Sequence, residues 1–542
     1  MRCHCYNHRL SQCVVRGGCC RHGRRPYRAG RRAALRRKPN SPSTQGVSLR
    51  RAVALPAVLI AVAALTLVPG PASAAAPHKG ANTSAVQDDF NGDGYRDLAV
   101  GAPDAANGTV EEAGAVVVLY GSASSVSATR RTVITQASAA VPGEPEAFDQ
   151  FGAAVASADL DRDGYADLLV GAPHEDVNGT ETRGSVTVLW GGPSGLKGGT
   201  TIDPVARYGH GTTYCGFGGG LATGDMNGDG APEVSVASHC EGVSYTGPFT
   251  RGGQAAAQYR EWRLGDTRGV VMGDVNGDGR AERFWLPGPT DGDLRGPVLL
   301  DRGPVDEADP TKNAPLKLPY ADGYTGRIAD VNGDGYGDLI TGIGEDGTVD
   351  GEQGAHTGGE IQVLYGSAHG ITADQRPRVF HQDTAGIPGA AEHADRFGQS
   401  LSTGDINADG YQDVLVGVPG EAIGTQAYAG GAVVLYGSAA GLTTSKATAY
   451  SQNSPGVPGN AETDDGFGTA VHLTDLNKDG KADVVVGTPS ENTDGCVWIA
   501  RGTTTGPSTN GSTDICGKDT GLTVRGSHGS FGAALPGAQV TF

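Results

Sequence analysis

Short apolar runs bounded by Gly or Pro recur along most of the chain. They are about four to eight residues long and rich in β-branched side chains, as in Leu98–Pro103 (L-A-V-G-A-P) and Ala115–Gly121 (A-V-V-V-L-Y-G). Runs of this kind are typical of β-strands, and no stretch shows the sustained 3.6-residue period that would indicate a long helix. The pattern therefore predicts an all-β fold.

The runs follow a fixed order that repeats. A Phe-Gly pair precedes an acidic nine-residue loop, a strand ending in Gly-x-Pro follows the loop, and a further strand ends in Tyr-Gly or Trp-Gly. A repeat of about four strands suits a β-propeller blade, which buries its faces only by stacking on its neighbours. The Phe-Gly pairs begin at Phe151, Phe217, Phe397 and Phe467, the Gly-x-Pro strands end at Pro103, Pro173, Pro419 and Pro489, and the aromatic-Gly strands end at Gly121, Gly191, Gly366 and Gly437.

The acidic loop occurs seven times, which predicts seven blades. Its clearest copy, residues 89–97, reads D-F-N-G-D-G-Y-R-D. In every copy, oxygen-bearing side chains stand at the first, third, fifth and ninth positions, and Gly stands at the sixth. The copies begin at Asp89, Asp159, Asp225, Asp274, Asp330, Asp405 and Asp475.

Two features bear on how the ring of blades closes. The first loop has no Phe-Gly before it, whereas Phe531-Gly532 has no loop after it. We therefore expect strands from both termini to complete one blade and remove the open sheet edges, with a ragged C-terminal tail as the alternative. The blades around the loops at Asp274 and Asp330 are the most degenerate, because no Phe-Gly precedes either loop.

Alternating oxygen ligands in a tight loop are the chemistry of a calcium site. A hard cation takes about six to eight oxygen ligands, and alternate residues of such a loop converge on one point. The sixth residue turns sharply, often with positive φ, which Gly does without a Cβ clash. Simple Asp-Gly hairpin turns are the alternative, but they do not explain the acids at the fifth and ninth positions of all seven copies. The loops therefore predict up to seven calcium ions.

The net charge of −18 is unevenly distributed. The first 51 residues hold 14 of the 42 Lys and Arg residues and none of the 60 Asp and Glu residues. The rest of the chain is therefore strongly acidic and a poor partner for nucleic acid. Carboxylates at this density repel each other unless cations neutralise them, which agrees with the calcium interpretation.

Four of the nine cysteines form two nearby pairs in the body of the chain, Cys215 with Cys240 and Cys496 with Cys516. An even number of cysteines in an exported chain predicts two local disulfides. Four free buried thiols are the alternative. The other five cysteines fall within the first twenty residues without regular Cys/His spacing, so we do not interpret that segment as a metal site.

An apolar run at residues 52–68 follows Arg50-Arg51 and precedes Ala72-Ser73-Ala74. This is the layout of a secretory signal peptide. A membrane anchor is the alternative, although the run is slightly short for one and contains Pro56. We divide the chain into a basic leader and signal peptide (1–76), with the true translation start near Val47, and a mature propeller (77–542) without a transmembrane segment. The mature chain is expected to be secreted and extracellular.

The order Phe-Gly, D-x-D-x-D-G-x-x-D, Gly-Ala-Pro resembles the FG-GAP repeat of the integrin α-subunit head and of bacterial exported integrin-like proteins. Three similar stretches strengthen the resemblance: V-P-G-E-P-E-A-F-D-Q-F-G (141–152), I-P-G-A-A-E-H-A-D-R-F-G (387–398) and V-P-G-N-A-E-T-D-D-G-F-G (457–468). It covers about residues 86–537. The resemblance implies a seven-bladed β-propeller with calcium loops and a binding or adhesion role. Loops in every repeat look more like the bacterial members than like integrins.

The same resemblance implies a calcium ligand set in each loop. The ligands are the side chains at the first, third, fifth and ninth positions and, in five loops, the carbonyl of the seventh residue. The third and fourth loops have Glu at the ninth position and Ala231 or Arg280 at the seventh, so we expect weaker sites there, and the second loop, with four Asp, should be the most acidic. In order, the sets are Asp89, Asn91, Asp93, Tyr95, Asp97; Asp159, Asp161, Asp163, Tyr165, Asp167; Asp225, Asn227, Asp229, Glu233; Asp274, Asn276, Asp278, Glu282; Asp330, Asn332, Asp334, Tyr336, Asp338; Asp405, Asn407, Asp409, Tyr411, Asp413; and Asp475, Asn477, Asp479, Lys481, Asp483.

The sequence contains no G-x-S-x-G, H-E-x-x-H or phosphate-loop motif, so we predict no enzyme. We interpret the chain as a monomeric, calcium-binding module of the cell-adhesion type whose ligand is an extracellular protein or glycan. An exported hydrolase that uses the propeller as its scaffold is the alternative, because pairs of acids such as glycosidases use are plentiful.

Overall fold

The computed structural model of the chain describes residues 87–177, 179–202, 214–240, 242–261, 267–288, 296–302, 313–345, 348–349, 352–353, 356–523 and 529–537. The predicted leader and signal peptide lie outside the described residues, and the division of the chain at residue 76 stays a prediction. Among the described residues, no helix has the length and apolarity needed to cross a membrane.

Seven main antiparallel sheets make up the fold, which is all-β and a seven-bladed β-propeller, as predicted. The first sheet has three strands and the other six have four. The first four sheets contain β1 (Leu98–Ala102), β2 (Ala115–Leu119), β3 (Arg131–Ile134); β4 (Ala154–Ala158), β5 (Asp167–Ala172), β6 (Ser185–Leu189), β7 (Gly199–Ile202); β8 (Gly220–Gly224), β9 (Glu233–Ala237), β10 (Gly242–Thr246), β11 (Ala257–Glu261); and β12 (Gly269–Gly273), β13 (Glu282–Leu286), β14 (Val298–Leu300), β15 (Leu316–Leu318).

The last three sheets have the same strand order, with one insertion. A two-stranded hairpin, β18 with β19, lies between the second and third strands of the fifth sheet. A 3-10 turn (Glu491–Thr493) and the short helix α1 (Gly517–Thr520) are the helical elements of the described residues. The strands are β16 (Thr325–Ala329), β17 (Asp338–Ile343), β18 (Thr348–Val349), β19 (Glu352–Gln353), β20 (Glu360–Leu364), β21 (Arg378–Phe380); β22 (Leu401–Gly404), β23 (Asp413–Val418), β24 (Gly431–Tyr436), β25 (Thr443–Tyr450); and β26 (Val471–Thr474), β27 (Asp483–Thr488), β28 (Cys496–Arg501), β29 (Ser508–Cys516).

The middle strands of the blades are buried on both faces. Every residue of β5, β6, β23 and β24 is buried. Apolar residues of neighbouring blades share one core, as when Val116 and Val118 of the first blade cluster with Leu168 and Val170 of the second. Sheets that stack on both sides need apolar residues on both faces, which explains why these strands read as continuous apolar runs instead of alternating ones.

Where a Phe-Gly pair is present, it connects its blade to the blade before it. Phe151 is buried in the core between the first and second blades. Its backbone pairs with Gly114, which precedes the third strand position of the first blade and has φ +85°. A Cβ on Gly114 would stand 2.2 Å from the Phe151 carbonyl oxygen, so this close approach requires Gly. The pairs Gly184 with Phe217, Gly359 with Phe397 and Gly430 with Phe467 repeat the contact.

The two degenerate middle blades nevertheless contain four strands each. In the second blade, the Gly152 N–H donates to the Gly171 carbonyl at 2.9 Å. Arg268 makes the matching bond to Leu286 in the fourth blade, and Tyr324 makes it to Gly342 in the fifth, both at 3.0 Å. Because this bond uses only backbone atoms, the first strand of each of these blades pairs with the second strand even without a Phe-Gly pair.

The C-terminal segment lies at the inner edge of the first sheet. Ala534 forms an antiparallel bridge with Gly101 of β1. The Gly101 N–H donates to the Ala534 carbonyl at 2.8 Å, and the Gly532 N–H donates to the Gly101 carbonyl at 3.1 Å. Gly532 thus makes in the first blade the bond that Gly152 makes in the second, and the three-stranded sheet gains a partner on its inner side.

Both predicted disulfides are present. Cys215 pairs with Cys240 at a Cα separation of 5.1 Å, and Cys496 pairs with Cys516 at 4.0 Å. The second bond joins directly opposed residues of β28 and β29 in the last blade.

Candidate metal centre

The seven acidic loops lie together at one end of the strands. In six blades the loop connects the first strand to the second, and the first loop leads into β1, which holds the second-strand position. Since antiparallel strands alternate in direction, all seven loops occupy the same side of the propeller. We call this side the loop face.

The first Asp of each loop organises the backbone around itself. One carboxylate oxygen accepts the N–H of the sixth-position Gly in all seven loops, at 2.8 to 3.1 Å. The sixth-position Gly has positive φ in every loop, as Gly94 does at +83°. The predicted reason for Gly at this position is therefore confirmed, and the turn wraps the loop around the first carboxylate.

The fifth Asp is exposed in all seven loops. One of its oxygens accepts the N–H of the seventh residue at 2.8 to 3.1 Å. The third side chain lies beside the ninth: the Asn227 amide donates to Glu233 at 3.1 Å, and the Asn477 amide donates to Asp483 at 3.1 Å. In the second loop, oxygens of Asp159, Asp161 and Asp167 lie within 4.8 Å of one another. This oxygen-only donor set fits a calcium ion.

The ninth acid has a second role that the sequence did not indicate. One oxygen of Asp413 accepts the N–H of Ile406, at the second position of its own loop, and the other accepts the N–H of Gly437, at the end of the third strand, both at 3.0 Å. The ninth acid therefore fastens the loop to the strand that ends in Tyr-Gly. Equivalent bonds from the terminal Gly reach Asp97, Asp167, Asp338 and Asp483.

Burial makes these ninth carboxyls unusually basic. Asp413 is fully buried. Burial raises its pKa to about 7, its backbone hydrogen bonds act in the opposite direction, and the nearby Asp409 and Asp405 raise it further. The pKa is likewise raised to about 7 at Asp97, Asp167, Glu282, Asp338 and Asp483. A divalent cation at the loop would offset both the burial and the repulsion between acids.

Neighbouring loops contact each other around the face. The eighth residue of one loop donates its N–H to the carbonyl of the first Asp of the preceding loop, as Gln412 does to Asp330 at 3.2 Å. The second and third loops lack this bond because the eighth residue of the third loop, Pro232, has no N–H. There the Arg162 guanidinium donates to the Asp229 carbonyl at 3.4 Å instead. The other bonds join Ala166 to Asp89, Ala281 to Asp225, Gly337 to Asp274 and Ala482 to Asp405.

The seventh side chain packs over the fourth residue of the preceding loop. Tyr411 covers Gly333 so closely that a Cβ there would stand 2.7 Å from the ring. Between the last loop and the first, the Lys478 ammonium lies 5.8 Å from the centre of the Tyr95 ring. The pattern therefore continues across the junction of the two chain ends. Tyr165 over Gly92, Arg280 over Gly228 and Tyr336 over Gly277 follow it too.

An arginine from the third blade lies against the second loop. The Arg251 Nε donates to Asp161 at 2.6 Å, and the guanidinium also contacts Asp163. This loop was predicted to be the most acidic, and Arg251 supplies a positive charge directly beside its third and fifth carboxylates. A calcium ion in this loop would share those two acids with the guanidinium.

The inner strands line an axial cavity of about 610 Å³. Arg327 on β16 and His472 on β26 occupy equivalent positions and both face the cavity. Burial lowers the pKa of Arg327 to about 10. Burial, assisted by Arg327 and Arg96, lowers the pKa of His472 to about 3, so His472 is neutral near pH 7.

Replacing His472 by Ser, the residue at the matching position of β22 (Ser402), should make the protein less sensitive to acid. The pKa of His472 is about 3 in the folded state and 6.5 ordinarily. A depressed folded-state pKa contributes stability that is present above the unfolded value and is lost as the pH falls below it. Between about pH 6.5 and pH 4, the wild type should lose up to about 1.4 kcal/mol per pH unit more than the variant. Thermal unfolding of both proteins at fixed calcium measures this difference, and parallel curves would contradict it.

The FG-GAP repeat family model matches residues 81–119, 151–189, 397–436 and 467–500. These segments belong to the first, second, sixth and seventh blades. The middle blades, which lack Phe-Gly or have a degenerate Gly-x-Pro, are not among them.

Two kinds of curated protein are similar to parts of the chain. It is 31% identical over 184 residues to phosphatidylinositol-glycan-specific phospholipase D of Mus musculus, a match that covers 34% of this chain and 20% of the relative. It is 35% identical over 151 residues to Integrin alpha-PS2 of Drosophila melanogaster, which covers 28% and 10%, respectively. The chain thus spans a fifth or less of these relatives.

Among solved structures, a mutant of AofleA from Arthrobotrys oligospora, in which three arginines are replaced by alanine, is similar to this chain. The alignment covers 73% of this chain and 94% of the AofleA chain. The TM-score is 0.36 and the sequence identity is 10%. A likeness at that score carries no argument about this chain.

Proposed function

Because the chain is an FG-GAP repeat protein with a seven-bladed β-propeller, we propose that it is a secreted, calcium-stabilised module that binds an extracellular protein or glycan. The observation that carries the proposal is the loop face, where seven acidic loops form one connected set. Each loop holds a buried or half-buried ninth acid beside exposed acids, an arrangement that a divalent cation stabilises.

Ligand recognition is assigned to the opposite side of the propeller. We call it the Phe-Gly face; it consists of the Phe-Gly turns and the connections between the second and third strands. Three of the most exposed large apolar side chains lie there: Phe148 is 55% exposed, Tyr214 65% and Tyr428 46%. Exposed aromatic side chains are the residues that most often dominate protein and glycan interfaces.

The backbone at these aromatic residues supports the assignment. Phe148, Tyr214 and Tyr428 all have positive φ, at 73°, 67° and 55°. This conformation is unfavourable for bulky residues and is most often retained at functional sites. The positions matching Phe148 in later blades hold Ala394 and Asp464, with φ of 70° and 69°, so the turn itself does not require an aromatic residue.

Export is supported by two observations. The described part of the chain contains two disulfides, which form and persist in oxidising compartments. The sequence before residue 77 has the layout of a signal peptide. Detection of the mature protein in culture medium, with an N-terminus near residue 77, tests this part of the proposal.

Binding should depend on the three aromatic residues of the Phe-Gly face. We expect the purified protein to bind members of a panel of extracellular glycans and immobilised extracellular proteins, and a Phe148→Ala, Tyr214→Ala, Tyr428→Ala variant to lose at least about tenfold in affinity. Phe148→Ala reproduces the residue at the matching Ala394 position, so the fold should be kept. Surface plasmon resonance in calcium and in chelator measures the affinities.

The control is Val379→Ser, which changes an exposed apolar residue on the outer strand β21. It should bind as the wild type does. Equal loss in the control and the triple variant, or full binding by the triple variant, would contradict the assignment to the Phe-Gly face.

An exported hydrolase is the second candidate, and the similarity to phosphatidylinositol-glycan-specific phospholipase D favours it. That match covers 20% of the phospholipase, so its activity does not transfer with the matched segment. A panel of phosphodiester, ester and glycoside substrates separates the two candidates. Turnover that disappears on mutation of a surface acid would support the hydrolase.

A further inference from the structure

Two histidines and an aspartate meet on the fifth blade, away from the acidic loops. His356 lies just before β20, and His381 and Asp383 follow β21. The imidazole rings are stacked, with centres 3.6 Å apart, and the His356 Nε2 is 3.5 Å from an Asp383 oxygen. One ligand atom from each residue lies within 4.8 Å of the other two.

Hydrogen bonding fixes which nitrogen of His356 faces the cluster. The His356 Nδ1 lies 2.8 Å from the Thr357 carbonyl oxygen. A carbonyl only accepts, so Nδ1 carries a proton and Nε2 is the nitrogen that faces the Asp383 carboxylate. A cation between Nε2 and the carboxylate, whether a proton or a metal ion, would stabilise this arrangement. An imidazole held through its other nitrogen by a carbonyl is the usual arrangement of a metal-binding histidine.

His381 points to the same conclusion. Its Nδ1 is buried and has no hydrogen-bond partner among the described residues. Beside it, one oxygen of Asp383 accepts the Ala391 N–H at 3.2 Å, which leaves the other oxygen directed at His356. A buried ring nitrogen without a partner costs free energy unless a ligand or an ion satisfies it.

The repeats of the chain show that this cluster is not needed to build a blade. His381 and Asp383 match Thr135 and Ala137 in the first blade, and Ser451 and Asn453 in the sixth. His356 matches Glu111 in the first blade and Ala427 in the sixth.

The surrounding turn is the same in all three blades. A hydroxyl three residues further on accepts the N–H of His381, as it does at Thr135 and Ser451. The following Gln donates to a Glu in each blade, as Gln382 does to Glu421. Three metal-binding residue types have therefore been placed together on a scaffold that folds without them.

We propose that His356, His381 and Asp383 form a zinc site that is separate from the calcium loops. Two imidazoles and one carboxylate suit Zn²⁺ and disfavour Ca²⁺, which prefers oxygen ligands throughout. Tetrahedral ligands of zinc at about 2.1 Å stand about 3.4 Å apart, close to the present separation of His356 and Asp383. Both imidazoles can bind the same zinc ion only after the rings rotate out of their stacked arrangement, because the lone pairs of the ring nitrogens lie in the ring planes.

Three protein ligands leave the fourth zinc position open. Asp383 is exposed, and the cluster lies on the Phe-Gly face, because His356 belongs to the connection between the second and third strands of its blade. A bound zinc would therefore offer a coordination position to water or to a carboxylate or imidazole of a binding partner.

Zinc titration of the untagged secreted protein in saturating calcium tests the proposal. The wild type should bind one Zn²⁺, and Co²⁺ in its place should give the visible absorption of an imidazole-ligated ion. The triple variant His356→Ala, His381→Ser, Asp383→Asn installs the residues of the sixth blade, and its zinc affinity should fall at least about 100-fold. Its melting temperature without zinc should equal that of the wild type, because the sixth blade folds with these residues.

His369→Ala is the control, since His369 is an exposed histidine of the same blade outside the cluster. It should bind zinc as the wild type does. The proposal is overturned if the wild type takes up no zinc in calcium, if the triple variant keeps the wild-type affinity, or if the loss occurs in His369→Ala instead.

Discussion

Removing calcium should lower the melting temperature of the protein by on the order of 10 °C or more. Each ion bound only by the folded state contributes about 2.7 kcal/mol at a calcium concentration 100 times the dissociation constant. Neighbouring loops also contact one another, through backbone bonds at five junctions and through side chains at the other two. The loss should be visible in differential scanning calorimetry with calcium and with chelator. Elemental analysis of the purified protein should find several calcium ions per chain.

The stability of the calcium-free protein should fall as the pH rises. In chelator the pKa of Asp97, Asp338 and Asp413 is raised to about 7 in the folded state. A raised folded-state pKa of an acid contributes stability that is present at low pH and is lost as the pH rises through the folded value. The calcium-free protein should therefore lose stability as the pH rises from about 4, near the ordinary pKa of Asp, to about 7, and the benefit of calcium should grow over that range.

Two outcomes would contradict the calcium prediction: an unchanged melting temperature in chelator, and purified protein without bound metal. Both would indicate that the loops are Asp-Gly turns held by their own hydrogen bonds, such as the one from Gly94 to Asp89. The propeller fold would be unaffected, but the loop acids would no longer be assigned as calcium ligands. Magnesium at equal concentration is the control, because it demands a tighter octahedral site.

Asp413→Ala should destabilise the protein by about 3 to 5 kcal/mol in chelator, and by more in calcium, where a predicted ligand is lost as well. The fully buried carboxylate accepts the N–H groups of Ile406 and Gly437, and alanine leaves both buried donors without a partner. Asp409→Ala is the matched comparison, since Asp409 is the exposed fifth residue of the same loop. It should cost about 2 to 3 kcal/mol in calcium and little in chelator, because it removes a predicted ligand.

Urea unfolding of the wild type and both variants, in calcium and in chelator, measures the change in the free energy of unfolding for each variant in each condition. If Asp413→Ala were harmless in chelator, the ninth acid would act through calcium alone and would not fasten the loop to the third strand. If Asp409→Ala were equally harmful in both conditions, it would not be a ligand. The sixth loop suits this test better than the second, where Asp163 also contacts Arg251.

Local properties of the chain were predictable from the sequence. β1 follows from the short apolar run that ends in Gly-Ala-Pro, because strand formation depends on composition and flanking turn residues. The pairing of Cys496 with Cys516 was predictable because each cysteine lies within one blade repeat of its partner. The sixth-position Gly was predictable because its backbone angle is a property of the loop itself.

Contacts between repeats were not predictable in the same way. The bond from Gly437 to Asp413 joins residues 24 positions apart, and nothing in the Tyr-Gly pair indicates that its N–H serves the acidic loop. The packing of Tyr411 over Gly333 joins neighbouring blades and depends on their exact stacking. The cluster of His356, His381 and Asp383 brings together two connections of one blade. Alignment of the chain's own repeats would have marked these three positions as unusual.

The position of Ala534 beside Gly101 has a consequence for how the protein is made. Ser530 hydrogen-bonds Asp104 across 426 positions of sequence. The inner edge of the first blade is therefore completed only after residues 530–534 have been synthesised and have packed against it. Contacts this distant in sequence form slowly and late. Until these contacts form, the inner edge of β1 has no backbone partner. An unpaired sheet edge can pair with another chain, so this edge is the place where a partly folded molecule would be prone to aggregate.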